Sequence, residues 1–345
     1  MTNPTRPTMA QIADRAGVAV STVSYVLSGK RPVSQEMRDR VMEAISELDY
    51  RPHGAARALA SGASNTIALF LPSPRWDLVP VQQTFVAGIT QAMSANDYGL
   101  LISTEATDPE EIVRLLQAHR ADGVILMETL AQDARVEALR DSGLPFTVIG
   151  RTSDTSSLNY VDLDFGAAVR TAVKHLADLG HRCIALFNFS SEQMEAGYTS
   201  ALLARDEFEA VTCELNIDGI HLNCPHPPHE AFEVSKQLLI SRPDCTAAVT
   251  TGWQFTGLSA ALREAELHVP RDFSLVAVIA SQYAEMLTPQ LTNIEWPAFE
   301  AGRLAAEMLI GLLANGDRAP RQHIIGGELI IRESTAQASL TSDPE

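Results

Sequence analysis

The chain has 345 residues, 46% of them hydrophobic, with 26 basic and 43 acidic side chains and a formal net charge of −17. It exceeds one typical domain and contains no apolar run long enough to span a bilayer, which describes a well-cored soluble chain and excludes a membrane protein. The acidic balance opposes general attraction to phosphate, so any contact with a polyanion has to be local.

At the amino terminus Thr8 stands where a helix cap belongs, with Gln11 three residues on to return the hydrogen bond. Ile12, Ala13 and Ala16 supply an apolar stripe, which predicts a helix over 9–16. Gly17 admits the left-handed backbone of a sharp turn, and Val23, Val26 and Leu27 recur at helical spacing in a second helix over 20–28. Ala13 and Val23 are expected to face each other across that turn. A third helix, over 34–48 with Ser34 as its cap, buries Val41, Ala44, Ile45 and Leu48 beneath the pair. Two short helices on a tight turn braced by a third form a helix-turn-helix, whose second helix enters the major groove. Its outward side chains, Val20, Ser21, Thr22, Ser24 and Tyr25, are the expected DNA contacts; the alternative is a small helical domain with no nucleic-acid role.

The segment 54–60, Gly-Ala-Ala-Arg-Ala-Leu-Ala, has good helix formers but too few of them to hold a helix in water, so it is expected to order only on DNA. Split along the chain, the charge becomes legible. Residues 1–60 carry eight basic and six acidic side chains, leaving 18 basic against 37 acidic in the remainder, so the acidic bulk confines phosphate contact to the amino-terminal end. MTNPTRPT has no apolar core of a secretory signal, and Cys183, Cys213, Cys224 and Cys245 form no Cys-x-x-Cys pair, both of which predict a cytoplasmic protein.

From residue 66 short apolar runs alternate with helix-like stretches. Strands are predicted at 66–71, 100–103, 123–127 and 146–149, with helices over 81–96, 109–119 and 131–141 between them. A second series begins with a strand at 159–163 and continues with strands at 183–187, 247–250 and 274–279. Helices near 164–179, 191–204, 229–241 and 253–265 connect these. Parallel strands need such crossovers, so the predicted core is α/β, two doubly wound lobes with a cleft between them.

The motifs Ala16-Gly17-Val18-Ala19, Thr22-Val23-Ser24, Tyr50-Arg51-Pro52 and Ala56-Arg57-Ala58-Leu59 stand in the order and spacing of the lactose and galactose repressor family, which the chain resembles. The resemblance implies a symmetric homodimer on a near-palindromic DNA operator. Val20, Ser21 and Tyr25 would read bases, with Thr22 and Ser24 mainly on phosphate and Thr8, Ala19, Arg57 and Leu59 completing the DNA-binding set. Leu59 is the implied wedge, pushed between base pairs in the minor groove with Arg57 as phosphate or groove partner. Ala19 replaces the usual serine and removes a hydroxyl. The resemblance also implies a core like a periplasmic binding protein that crosses between lobes three times. The expected domains are 1–50 for DNA binding, 51–62 for the hinge, 63–335 for the core and 336–345 as a disordered tail. Lobe 1 takes 63–158 and 290–320, and lobe 2 takes 159–289 and 321–335. Dimerisation is expected through the helices at 81–96 and 109–119, with no carboxy-terminal bundle to make a tetramer.

Sugar-binding relatives place an arginine, an Asn-Asp pair and an Asp-Asp pair where this chain has Met194, Thr251-Gly252 and Ile279-Ala280. Losing three anchors for hydroxyls favours an apolar or aromatic effector over an ordinary sugar; an unusual sugar and no effector at all stay open. The candidate effector residues are Met194, Trp253, Phe255 and Ile279 as walls, Gln82, Arg151 and His226 as polar contacts, and Val81 beside them. His221, Cys224, His226 and His229 tempt a metal reading, but Pro225, Pro227 and Pro228 force an extended path and the spacing matches no usual site, so a structural loop is expected. No dinucleotide, phosphate-loop, nucleophile-elbow or zinc-helix motif occurs, so neither catalysis nor a cofactor is expected. The competing classes are a solute-binding protein of the same core and a regulator that needs no effector.

Overall fold

The computed structural model describes residues 7–28, 31–48, 63–71, 80–104, 108–225, 227–315 and 319–338. Three helices open it: α1 (Met9–Ala16), α2 (Val20–Ser28) and α3 (Gln35–Glu47). The reciprocal cap at Thr8 is present, with Gln11 N donating to Thr8 Oγ1 at 3.4 Å and Thr8 N donating to Gln11 Oε1 at 2.8 Å. Ser34 does precede α3, but its side chain makes no capping bond. Ile12, Ala13, Val23 and Val41 close over one another as a small core, with Ile45 and Leu48 at its edge.

Two six-stranded sheets follow. The first contains β1 (Thr66–Phe70), β2 (Gly99–Ser103), β3 (Gly123–Leu126), β4 (Phe146–Ile149), β5 (Tyr160–Leu163) and β11 (Gln322–Ile325), in the order β11-β5-β4-β3-β1-β2. The second contains β6 (Cys183–Asn188), β7 (Asp218–Asn223), β8 (Ala247–Thr250), β9 (Ser274–Val278), β10 (Thr292–Ile294) and β12 (Leu329–Ile330), in the order β12-β10-β9-β8-β6-β7. The two orders are equivalent, and both reverse direction beside the first strand of their sheet, β1 or β6. All pairings are parallel except β10 with β12. Central strands are buried on both faces: Ile67 and Leu69 pack to one side of the first sheet, Ala68 and Phe70 to the other.

Three strands depart from the expected lobe boundaries. β5 belongs to the first sheet, paired with β4, although residues from 159 were expected to open the second lobe. β10 pairs with β9 in the second sheet, whereas 290–320 were assigned to the first lobe, and β11 pairs with β5 in the first, whereas 321–335 were assigned to the second. The chain therefore passes between sheets after Leu163, after Ile294 and after Ile325, three times in all. A short apolar strand at a crossing reads the same whichever sheet it joins, because its partner is chosen by packing far away in sequence. The helix expected at 191–204 is instead broken into α8 (Ser191–Ala196) and α9 (Thr199–Leu215) by Gly197, which takes φ 81°. Among the described residues no helix is long and apolar enough to cross a membrane.

The first lobe is fastened by a contact between α4 (Pro80–Ser94) and α13 (Ala298–Asn315). Gly88 and Gly302 let these helices touch backbone to backbone. A Cβ on Gly88 would sit 2.0 Å from the Phe299 carbonyl oxygen, and one on Gly302 would sit 2.3 Å from that of Phe85. Gly143, by contrast, has open space around it and only its φ of 66° to explain it. Chemical denaturation should therefore show Gly88→Val losing about 3 kcal/mol or more, and Gly143→Ala only about 1 kcal/mol for its left-handed backbone.

Candidate functional site

Two surfaces collect the residues singled out by sequence. In the helical headpiece Gly17 takes φ 63° and ψ 41°, and Val18 N donates to Ala13 O at 3.0 Å, which folds the chain back from α1 into α2. The first turn of α2 starts on Ala19, whose carbonyl accepts from Thr22 N at 2.8 Å and Val23 N at 3.3 Å. Val23 and Val26 point inward. Val20 is 48% exposed, Ser21 is exposed, and Thr22, Ser24 and Tyr25 are half-exposed, so the face left to solvent carries the expected DNA contacts. Thr8 is exposed at the start of α1. The guanidinium of Arg31 lies 5.2 Å from the Tyr25 ring centroid. Arg57 and Leu59 lie outside the described residues.

Sequence reading missed Arg40. From α3 its Nη2 donates to Ala16 O at 2.5 Å and to Gly17 O at 3.2 Å, capping the last carbonyls of α1 at the turn. A cation at a helix C-terminus satisfies both the orphan acceptors and the dipole. Only its identity as arginine hinted at this, since the pairing spans 24 positions.

The second surface is a cleft of about 780 Å³ between the sheets, at the carboxyl ends of their strands. Val81, Gln82, Arg151, Trp253 and Ile279 line it as expected. Met194 does not, and its assignment as a wall is corrected. It packs into the core of the second lobe, its sulfur 3.7 Å from Asn188 Nδ2, because α8 is short and turns Gln193 towards the cleft instead. Phe255, also expected as a wall, does not line it either: it is buried in the core of the second lobe behind Trp253, ring centroids 5.4 Å apart. His226 lies outside the described residues, but its neighbours Pro225, Pro227 and Pro228 form part of the wall. The other members of that His/Cys segment point to separate partners: His221 Nε2 sits 3.0 Å from Asn188 Nδ2, Cys224 is buried, and His229 is exposed beside Glu230. Among the described residues, Cys183, Asp218 and Asp244 do come together. Arg242 fills that cluster, its Nη2 2.5 Å from Asp218, 2.7 Å from Asp244 and 3.1 Å from the Cys183 sulfur.

Several lining residues were not legible from the sequence. Glu128, at φ 53°, accepts from Gln82 Nε2 at 3.2 Å, and burial raises its pKa above the ordinary carboxylate value. Asp162 lies 3.0 Å from Arg151 Nε, yet burial outweighs that cation and pushes its carboxyl up to about 6. Phe165 and Trp296, each just past a crossing, meet tilted by 58° with centroids 4.1 Å apart, and Trp253 meets Tyr283 at 5.2 Å. A signal existed in the aromatic residues placed immediately after strand ends at the crossings. The two lobes are also joined across the cleft edge, where Ala131 N donates to Gly197 O at 2.7 Å and Thr199 N donates to Thr129 O at 3.2 Å.

Residues 8–53 match the family described as bacterial regulatory proteins, lacI family, and residues 173–335 match a periplasmic binding protein-like domain. The chain is 30% identical over 345 residues to the HTH-type transcriptional regulator AglR of Rhizobium meliloti (strain 1021), covering 96% of this chain and 94% of that one. It is 28% identical over 342 residues to the HTH-type transcriptional regulator CelR of Thermobifida fusca, covering 95% and 98%. Among solved structures, the lac repressor dimer bound to operator and the anti-inducer ONPF superposes with a TM-score of 0.82 at 24% identity, over 96% of this chain and 99% of that one. A complex of the regulator CelR with cellobiose superposes with a TM-score of 0.70 at 24% identity, over 95% and 100%.

The raised pKa of Asp162 has a defined sign. The folded state holds this proton more tightly than the unfolded chain, so stability is greatest below the ordinary aspartate value of 3.8 and falls as pH rises through about 6. Between pH 4.5 and pH 8 the protein should lose on the order of 2 kcal/mol relative to Asp162→Asn. Denaturation of both proteins at both pH values measures this, and the constant effect of unpairing Arg151 cancels.

Proposed function

The chain belongs to the lacI family of bacterial regulatory proteins, and from that membership we propose that it is a transcriptional regulator of the repressor kind, binding a near-palindromic operator as a homodimer under control of a small molecule in the interlobe cleft. The observation that carries this is the headpiece: a capped helix, a left-handed glycine turn and a second helix whose polar and half-exposed face is free to enter the major groove. A solute-binding protein has no use for that unit, and the relatives compared above are regulators.

In this reading Val20, Ser21 and Tyr25 read base edges, while Thr8, Thr22 and Ser24 hold phosphate and Ala19 leaves one phosphate contact unmade. Arg57 and Leu59 act in the hinge, with Leu59 as the minor-groove wedge. The acidic core keeps the rest of the molecule off DNA and makes binding sensitive to salt. The helices at 80–94 and 109–117 are the proposed dimer contact.

The cleft volume suits a small molecule rather than a peptide. Its second-lobe wall carries Thr251, Gly252, Ile279 and Ala280 where hydroxyl anchors were expected in sugar-binding relatives, and the first lobe contributes Gln82, Glu128, Arg151 and Asp162 opposite the aromatic pair of Trp253 and Tyr283. That supports an effector with one apolar ring face and one polar edge, distinct from an ordinary neutral sugar.

Fluorescence anisotropy on fragments recovered from a genomic pull-down tests the reading. Ser21→Ala and Leu59→Ala should each weaken binding to the recovered operator about tenfold, with binding to random duplex nearly unchanged. Equal, salt-dominated affinity of the parent protein for every fragment would overturn it.

A further inference from the structure

The cleft carries a charge imbalance that regulation alone does not require. Among its described lining residues Glu128, Asp162, Glu192 and Glu230 are acidic, and Arg151 is the one cation. Glu192 is exposed at the rim and screened by solvent, whereas the pair on the first lobe is enclosed. Asp162 is 7% exposed, and its Oδ2, although 3.0 Å from Arg151 Nε, makes no hydrogen bond. Glu128 has Gln82 as a neutral donor. Arg135, the nearest cation behind Glu128, is already matched by Asp133, with Nε to Oδ1 at 3.0 Å and Nη2 to Oδ2 at 2.7 Å. Asp162 thus has Arg151 beside it and Glu128 has the Arg135 guanidinium behind it, while Arg151 is the one cation among the described residues that line the cleft with them.

Part of the remaining wall is aromatic, beside the hydroxyl groups of Ser190, Ser191 and Thr251. Trp253 and Tyr283 meet edge to face on the second lobe, and Phe165 and Trp296 meet at a tilt beside the crossings. Aromatic faces present negative charge density, which attracts a cation and repels an anion. A neutral ring would use the aromatic wall and leave both carboxyls without a ligand partner, whereas a cation would favour their charged forms. We infer that the effector of this cleft is a ring compound bearing a positive charge, an alicyclic or aromatic amine whose ammonium group is taken up by the Asp162 and Glu128 side while its ring lies against the aromatic wall. This rests on the reading of the cleft as an effector site.

The test uses the full chain and matched probes: benzylamine against benzyl alcohol, cyclohexylamine against cyclohexanol, and glucose as an uncharged sugar. Isothermal titration near neutral pH and low salt should show each amine binding about tenfold or more tightly than its alcohol and than glucose, with a matching rise in melting temperature. Asp162→Asn and Glu128→Gln, which keep side-chain shape, should each pull the amine-to-alcohol ratio towards one. An alcohol or glucose that equals the amines, a preference that survives both substitutions, or no binding by any probe at about 20 mM would overturn the inference. Operator binding, measured on the same preparations, reports separately on the regulator. Its loss sinks that reading, and its persistence while glucose wins sinks only the charge of the effector.

Discussion

Among the described residues the two lobes meet in an antiparallel bridge, in which residues 129–131 meet 197–199, and at Thr84, which reaches Gln282 and Tyr283. Each hydrogen bond of the bridge contributes about 1 kcal/mol net, so the relative placement of the lobes rests on a balance of a few such terms. Thr129, Tyr198 and Thr199 are at once members of this bridge or its flanks and walls of the cleft. A molecule in the cleft therefore touches the groups that set how far the lobes stand apart. It can shift that equilibrium by its difference in affinity for the two arrangements, and no separate relay is needed.

The same economy governs the headpiece. Its core is small, so the turn between α1 and α2 depends on local devices: the cap at Thr8, the left-handed Gly17 and the guanidinium of Arg40 on the carbonyls of Ala16 and Gly17. Placing Arg40 there withdraws one of the few cations of the headpiece from phosphate binding and spends it on shape. On the proposed reading recognition would then fall to the short side chains of α2, which carries no charge along Val20–Ser28. Such a face would read the groove by fit and by hydroxyl hydrogen bonds more than by charge.

Much of this was visible in the residues. Helices α1 and α2 run over the predicted positions because caps, a glycine and a 3.6-residue stripe are local signals. The buried parallel strands β4 and β8 were equally plain as short apolar runs. What failed was non-local. β5, β10 and β11 were assigned to the wrong lobe because nothing in Tyr160–Leu163 or Gln322–Ile325 says which sheet edge is vacant. Met194 was placed in the cleft by counting back from Gly197, yet it faces the lobe core, since one short helical turn decides which neighbour points outward. Asp162 and Glu128 passed unnoticed because a carboxyl becomes chemically distinctive only through the walls folded around it, as their raised pKa values show.

The clasp of α4 by α13 has a consequence for the order in which the molecule is made. Every strand of the second sheet except β12 is complete by Ile294, whereas the first sheet still lacks its last helix and its edge strand, which arrive only with residues 298–325. On a ribosome the headpiece and then the second lobe can close while the earlier-synthesised first lobe waits, its Gly88 groove open, for the tail of the nascent chain. A truncated translation product stopped near residue 295 would thus own a finished DNA-reading unit but no finished first lobe.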